Sequence, residues 1–163
     1  MPTKASPSWT DCAATGRVST DMRALSGDVI KRDAFTIIDE TDMMQVRQVL
    51  RSFCRSAGLS LVEETKFITA GSELARNILT HTTAHRGEVI VEQLEAPGHN
   101  GVRAAFIDDG PGIPDMTAAL TDGFSTVGSM GLGLPGAKRL VDDMTIDSSD
   151  VSGTRVVITK WAY

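Results

Sequence analysis

The stretch GSMGLGLPG, residues 128–136, places Gly128, Gly131 and Gly133 just ahead of a predicted helix over Leu134–Asp143. Glycines before a helix expose backbone N–H groups beside the positive end of the helix dipole, which suits a phosphate group. No Gly-Lys-Ser/Thr follows, so this is not a Walker P-loop. No parallel βαβ unit precedes it, which excludes a dinucleotide fold. Alone, the stretch predicts either a phosphate loop or a flexible loop.

A second glycine motif lies upstream, in DDGPGIPD at residues 108–115. Asp108 ends a predicted strand, where its carboxylate can accept a hydrogen bond from an exocyclic amine such as that of adenine. Gly110 and Gly112 allow the backbone to approach a flat base closely. The alternative is a tight turn between a strand and a helix.

The third motif is SELARN, residues 72–77, within a predicted helix. Glu73 and Asn77 are four residues apart and therefore share one helix face. A carboxylate and an amide oxygen there can ligate Mg²⁺ or orient a nucleophile. This face lies roughly opposite the apolar stripe, so the alternative is two solvated residues. In sequence order the three motifs supply a metal ligand, a base reader and a phosphate cradle, a combination that favours an ATP site.

Together with the helix over Leu134–Asp143, the sequence predicts three helices and five strands. One helix begins at Thr41 and ends before Gly58, and the next carries a Ser60/Glu63 capping box at its start. The predicted strands are Ala34–Ile38, Glu88–Glu95, Val102–Asp108, Met144–Ser149 and Thr154–Trp161, with a hairpin turn over Pro97–Gly101. The order β-α-α-β-β, loops, α-β-β predicts an α+β fold: a two-layer sandwich of a mixed, mostly antiparallel sheet with helices on one face.

The chain divides into two segments by composition. Residues 1–31 are rich in Ser, Thr, Ala and Asp and show no sustained period, so we predict a disordered N-terminal extension. Residues 32–163 are expected to form one ATP-binding domain.

Composition excludes several functional classes. The net charge of the 163-residue chain is −5 and no Lys/Arg run is present, which argues against nucleic-acid binding. No apolar run is long enough for a membrane span and no secretory signal is evident, so we expect a cytoplasmic protein without membrane contact. Cys12 and Cys54 form no metal motif or disulfide framework, and Cys54 is predicted to be buried. The three histidines, His81, His85 and His99, are not spaced as metal ligands.

The motifs resemble those of the GHKL superfamily of ATPases and kinases. Glu73 and Asn77 are similar to its N box, Asp108-x-Gly110-x-Gly112 to its G1 box and Gly131-x-Gly133 to its G2 box. Gly153-Thr154 resembles the late Gly-Thr pair whose Thr approaches the adenine-side Asp. The blocks SELARNI, GPGIPD, DGFST and GLGLPGAKRL further resemble the RsbT-type switch kinases of bacterial stress signalling. This closer resemblance runs from about Ala34 to Tyr163.

The resemblance implies a protein serine/threonine kinase that uses ATP and Mg²⁺, phosphorylates a STAS-domain antagonist and then switches to a downstream phosphatase or other effector. Asn77 would ligate Mg²⁺ and Glu73 would be the catalytic base. Asp108, supported by Thr154, would bind adenine, and Gly110 and Gly112 would lie near the base. The phosphates would be held by the loop glycines Gly128, Gly131 and Gly133.

Three alternatives stay open: a GHKL-fold anti-sigma factor, a nucleotide-gated binding adaptor, and an ordinary α+β domain with incidental glycines. The sequence does not decide whether the protein is a homodimer, which partner it has, or what its N-terminal extension does. It also leaves Phe124 open between nucleotide, partner and core.

Overall fold

A computed structural model describes residues 27–81, 86–108, 133–149 and 153–162, which form one five-stranded sheet and three helices. The strand order is β1-β2-β3-β5-β4, and every neighbouring pair is antiparallel. The elements are β1 (Asp28–Ile37), α1 (Asp42–Ala57), α2 (Leu61–His81), β2 (Gly87–Ala96), β3 (His99–Asp108), α3 (Gly133–Leu140), β4 (Asp143–Ser149) and β5 (Gly153–Trp161).

One face of the sheet, here called the inner face, carries the helices. Alternate strand residues such as Val89, Val91 and Phe106 point to this side and join one buried cluster with the apolar stripes of α1 and α2. Ala137 of α3 belongs to the same cluster. The predicted two-layer α+β architecture is therefore confirmed, with neighbouring strands antiparallel throughout the described sheet.

The opposite side of the sheet, here called the outer face, carries the other alternate residues. A row of directly paired positions crosses all five strands on this face: Arg32, Glu92, Arg103, Thr159 and Asp143. Glu92 is 1% exposed and accepts hydrogen bonds from Arg103 Nε at 2.9 Å and Nη2 at 2.6 Å. Arg32 Nε lies 3.9 Å from the other carboxylate oxygen. A buried ion pair with a second, partly exposed arginine thus links three strands.

Helix α1 forms where the sequence predicts it. Thr41 is the N-cap residue, although its side chain makes no capping hydrogen bond. Gly58 ends the helix at φ 82°, in the left-handed region that glycine tolerates best. The predicted apolar face is buried, and Cys54 is buried with it. Burial raises the pKa of the Cys54 thiol to about 12.

The β2–β3 hairpin has a shorter turn than predicted. Its turn is Pro97-Gly98, with Gly98 at φ 83°, while His99–Gly101 already belong to β3. The three extra residues pair with Leu94, Glu95 and Ala96 of β2. A two-residue turn therefore sets the register of the central pair of strands.

Two further predicted boundaries are wrong. Strand β1 begins at Asp28, not Ala34, and so includes the last four residues of the segment interpreted as an extension. Helix α3 ends at Leu140 rather than Asp143, because Asp142 accepts a hydrogen bond from Trp161 N at 2.7 Å and Asp143 already pairs with Thr159. The prediction for residues 1–26 lies outside the described residues.

Among the described residues, none of the helices combines the length and apolar character that a membrane span needs.

Candidate nucleotide site

Glu73 lies at the contact between α2 and α3. Glu73 is only 7% exposed, so the alternative of a solvated residue on the helix face is wrong for this position. Glu73 does lie away from the apolar stripe of α2, as the helical spacing predicts. It is buried because α3 packs against that side of α2.

The N-terminus of α3 meets the Glu73 carboxylate directly. Gly133, the first residue of α3, has φ 55° and donates its backbone N–H to Glu73 Oε1 at 3.4 Å. That N–H is one of the groups a helix leaves without an internal partner, and it lies at the positive end of the helix dipole. Gly133 therefore joins the glycine motif to the helix that carries Glu73 and Asn77.

Asn77 lies one helical turn after Glu73 and is half-buried. Within the described part of the chain, its side-chain amide forms no hydrogen bond. Its oxygen is thus available to a ligand on the same side of α2 as the carboxylate.

Asp108 and Thr154 are direct cross-strand partners at the ends of β3 and β5. Side chains so paired lie about 5 Å apart at their Cβ atoms. Thr154 is 9% exposed, and its hydroxyl lies 3.2 Å from the Ser148 hydroxyl. The register brings together the two residues expected to act jointly on adenine.

Gly87 is a residue at this end of the sheet that sequence reasoning missed. It pairs with Asp108, and a Cβ there would lie 2.5 Å from the Ile107 carbonyl oxygen and 2.6 Å from Cγ2 of Ile78. Ile78 follows Asn77 on α2, so the missing side chain lets the strand ends approach this helix closely. An isolated glycine at a strand start carries no signal of that role in the sequence.

Four of the predicted glycines, Gly110, Gly112, Gly128 and Gly131, lie outside the described residues, as does Phe124. The expected phosphate loop is therefore represented here by Gly133 alone. Of the histidines, His99 is half-buried and contacts the Trp161 ring edge-on, with ring centroids 4.9 Å apart.

The residues present fit a magnesium-bound nucleotide. Mg²⁺ prefers oxygen ligands, keeps several waters and is usually held by one or two protein groups plus substrate phosphates. Across the described ranges there is no group of three or more His, Cys, Asp or Glu side chains that would hold a metal alone. The amide oxygen of Asn77 beside a buried carboxylate and a helix N-terminus matches the partial donor set that Mg²⁺ on a polyphosphate requires.

Comparison with known proteins identifies the family. Residues 62–162 match the family described as histidine kinase-, DNA gyrase B- and HSP90-like ATPases. The chain is 40% identical over 125 residues to the serine/threonine-protein kinase RsbT of Bacillus subtilis, covering 77% of this chain and 92% of that protein. It is 27% identical over 129 residues to the anti-sigma F factor of Bacillus licheniformis, covering 77% of this chain and 88% of the relative.

A solved structure supports the fold. The crystal structure of the RsbU and RsbW domains of Rv1364c from Mycobacterium tuberculosis superposes with a TM-score of 0.56 at 22% identity. The match covers 80% of this chain and 31% of that longer one. Together with the α2–α3 geometry, these similarities show that the chain belongs to the histidine kinase-, DNA gyrase B- and HSP90-like ATPase family and, within it, to the RsbT-type serine/threonine kinases.

Proposed function

We propose that this protein is an ATP-dependent serine/threonine kinase that phosphorylates a STAS-domain antagonist and then changes partners to control a bacterial stress or sigma-factor pathway. Its output would pass through a downstream phosphatase or other effector. Such signalling takes place in the cytoplasm, where we expect the protein to act.

The observation that carries the proposal is the environment of Glu73. A buried carboxylate without a cationic partner has a high free-energy cost, and proteins normally pair such a group or hydrogen-bond it several times. Glu73 receives one long hydrogen bond from Gly133 and no ion pair among the described residues. A buried, weakly satisfied carboxylate beside an amide and a helix N-terminus suits a group that accepts a proton during a reaction.

The chain's own residues divide the remaining work. Bound Mg²⁺-ATP would supply the phosphoryl group and neutralise the charge on its oxygens. Asn77 would hold the metal, and Asp108 would accept a hydrogen bond from the adenine amine with Thr154 beside it. Gly110 and Gly112 would lie near the base, while Gly128, Gly131 and Gly133 would hold phosphate oxygens through backbone N–H groups.

Glu73 would take the proton from the hydroxyl of the incoming Ser or Thr. Glu73 lies one helical turn from Asn77, so the proton acceptor and the metal ligand would face the same substrate. Because phosphoryl transfer depends mainly on positioning and charge, a fixed base contributes a moderate share of the rate.

The second candidate function is an anti-sigma factor that sequesters a transcription factor. The similarity to anti-sigma F factors at 25–27% identity favours it. The greater identity to RsbT, 40%, favours the kinase. Recovery of a sigma factor, rather than a STAS protein, as the tight partner in a pull-down would favour the anti-sigma reading.

Replacement of one side-chain atom separates base chemistry from nucleotide binding. Glu73→Gln keeps the size of the side chain and its ability to accept the Gly133 hydrogen bond, but it removes the basic carboxylate. We expect transfer of the γ-phosphate from labelled ATP to a STAS-domain protein to fall by about 10²–10⁴-fold. Binding of a fluorescent ATP analogue should change little.

Glu95→Gln is the matched control, because Glu95 is exposed near the β2–β3 turn, at the other end of the strand from Gly87. It should transfer phosphate at the wild-type rate. Equal rates for Glu73→Gln and wild type would remove Glu73 from the catalytic role.

A further inference from the structure

Four apolar side chains on the outer face of the sheet are buried although the described helices lie on the inner face. Ala105 is 0% exposed, Leu94 1%, Ile90 3% and Trp161 4%. An antiparallel sheet with helices on one side ordinarily leaves its other side in water, with polar residues there. These four apolar side chains are as well buried as the core.

The side chains paired directly with Ile90 are small. Ile90 is paired directly with Ala34 on one side and Ala105 on the other. A methyl group is too small to cover the longer isoleucine beside it, and Ala34 is itself exposed. The two residues paired directly with Ile90 therefore do not account for its burial.

The chain enters this face at Gly27, immediately before β1. A Cβ on Gly27 would lie 3.0 Å from the Leu94 Cβ and 3.2 Å from Cη2 of Trp161. The Trp161 ring lies close over Gly101, where a Cβ would be 2.5 Å from the ring. The residue that connects β1 to the preceding segment thus already packs on the apolar part of the outer face.

The preceding segment has the length and composition to continue across it. Five strands span about 19 Å. A segment of 26 residues is longer than this distance even as a helix, which rises ~1.5 Å per residue. The segment shows no sustained period, but Val18, Met22 and Leu25 lie four and three residues apart, a spacing that would put these three on one face of a short helix. Trp9 adds a large apolar side chain.

We propose that residues 1–26 pack across the outer face of the sheet and cover Ile90, Leu94, Ala105 and Trp161. The segment is then the occupant of a docking surface built into the domain. While it is in place, no partner and no second copy of the chain reaches that face.

The full-length protein can be tested through its own cysteines. Cys54 is buried with its pKa raised to about 12, so a thiol-reactive nitroxide at neutral pH labels Cys12 selectively. A second sample carries the label at Ser19→Cys in a Cys12→Ser background. We expect at least one label to broaden the NMR amide signals of Arg103 and Ala105 strongly, while Gln48 and Ser52 on the exposed side of α1 keep their intensity. Reduction of the nitroxide should restore the signals.

A label at Gln48→Cys in the Cys12→Ser background is the matched control and should spare Arg103 and Ala105. Unchanged Arg103 and Ala105 signals with both N-terminal labels would overturn the proposal. A mixture of spin-labelled, unenriched chains with isotope-enriched, unlabelled chains detects contact between copies. Broadening of Arg103 and Ala105 in that mixture would assign the cover to a second copy and equally overturn the proposal.

Discussion

Two regions of this molecule bury a carboxylate, and they treat it differently. On the outer face, Glu92 is 1% exposed and receives two short hydrogen bonds from Arg103, with Arg32 3.9 Å away. At the α2–α3 contact, Glu73 is 7% exposed and receives one 3.4 Å hydrogen bond from a backbone N–H. Two carboxylates of similar burial therefore differ in how fully their hydrogen-bonding capacity is used, and the one with fewer partners is the proposed catalytic base.

The largest expected difference between the two regions is in stability. Glu92→Gln removes the negative charge that the Arg103 guanidinium contacts at 2.6 Å, and the Arg103 side chain is only 19% exposed. Loss of one partner of a buried ion pair typically costs about 3–5 kcal/mol of unfolding free energy. Glu73→Gln should cost less than about 1 kcal/mol, because it removes only part of one long hydrogen bond. Urea unfolding followed by circular dichroism measures both, and similar losses for the two variants would contradict the comparison.

The next effect in size is the coupling between the two outer-face partners. Arg103→Met alone removes the nearer of the two arginines at the Glu92 carboxylate, whereas Arg103→Met with Glu92→Met replaces the pair by apolar groups. Since such replacements of buried pairs are often neutral or stabilising, the double variant should recover about 2 kcal/mol or more relative to the sum of the single variants. A double-mutant cycle from denaturant midpoints measures this coupling. Additive losses would show that the ion pair does not act as a unit.

The smallest expected effect concerns a third buried carboxylate. It has more charged partners than Glu73, but those partners are more exposed than the Arg103 partner of Glu92. Glu64 of α2 is 5% exposed, and its oxygens lie 3.6 Å from Arg51 Nε and 3.5 Å from Arg55 Nε of α1. Those arginine side chains are 44% and 66% exposed, so solvent screens the pairs. Glu64→Gln should cost about 1 kcal/mol or less at low salt, and still less in 1 M NaCl. A loss of stability that does not depend on salt would show that the Glu64 ion pairs are shielded from solvent, as the Glu92–Arg103 pair is.

The elements whose apolar residues repeat regularly were predictable from sequence. Helix α1 and its Gly58 terminus, and the β2–β3 pair, follow from local pattern and turn chemistry. The first residues of β1 were not, because this edge strand exposes Val29 and Ile30 and carries Lys31 and Arg32 between the apolar positions. An edge strand can do this, since it is paired on one side only.

The site was partly predictable for the same reason. Spacing placed Glu73 and Asn77 on one face of α2, and the family resemblance placed Thr154 near Asp108, with which it is paired across the sheet. Burial of Glu73 depends on α3 packing against α2, which joins residues 60 positions apart. The need for glycine at position 87 depends on an approach to Ile78, and no local pattern records either contact.

The row of paired positions that runs from Arg32 through Glu92, Arg103 and Thr159 to Asp143 has a consequence for how the chain avoids misfolding. Because side chains alternate between faces, a slip of one residue in a strand turns its whole set to the other side. A slipped β2 would drive Glu92 into the hydrocarbon interior and turn Val89 and Val91 out of it. The charged row therefore disfavours wrong strand registers, because a misaligned β2 would bury the Glu92 carboxylate among apolar side chains at a high free-energy cost.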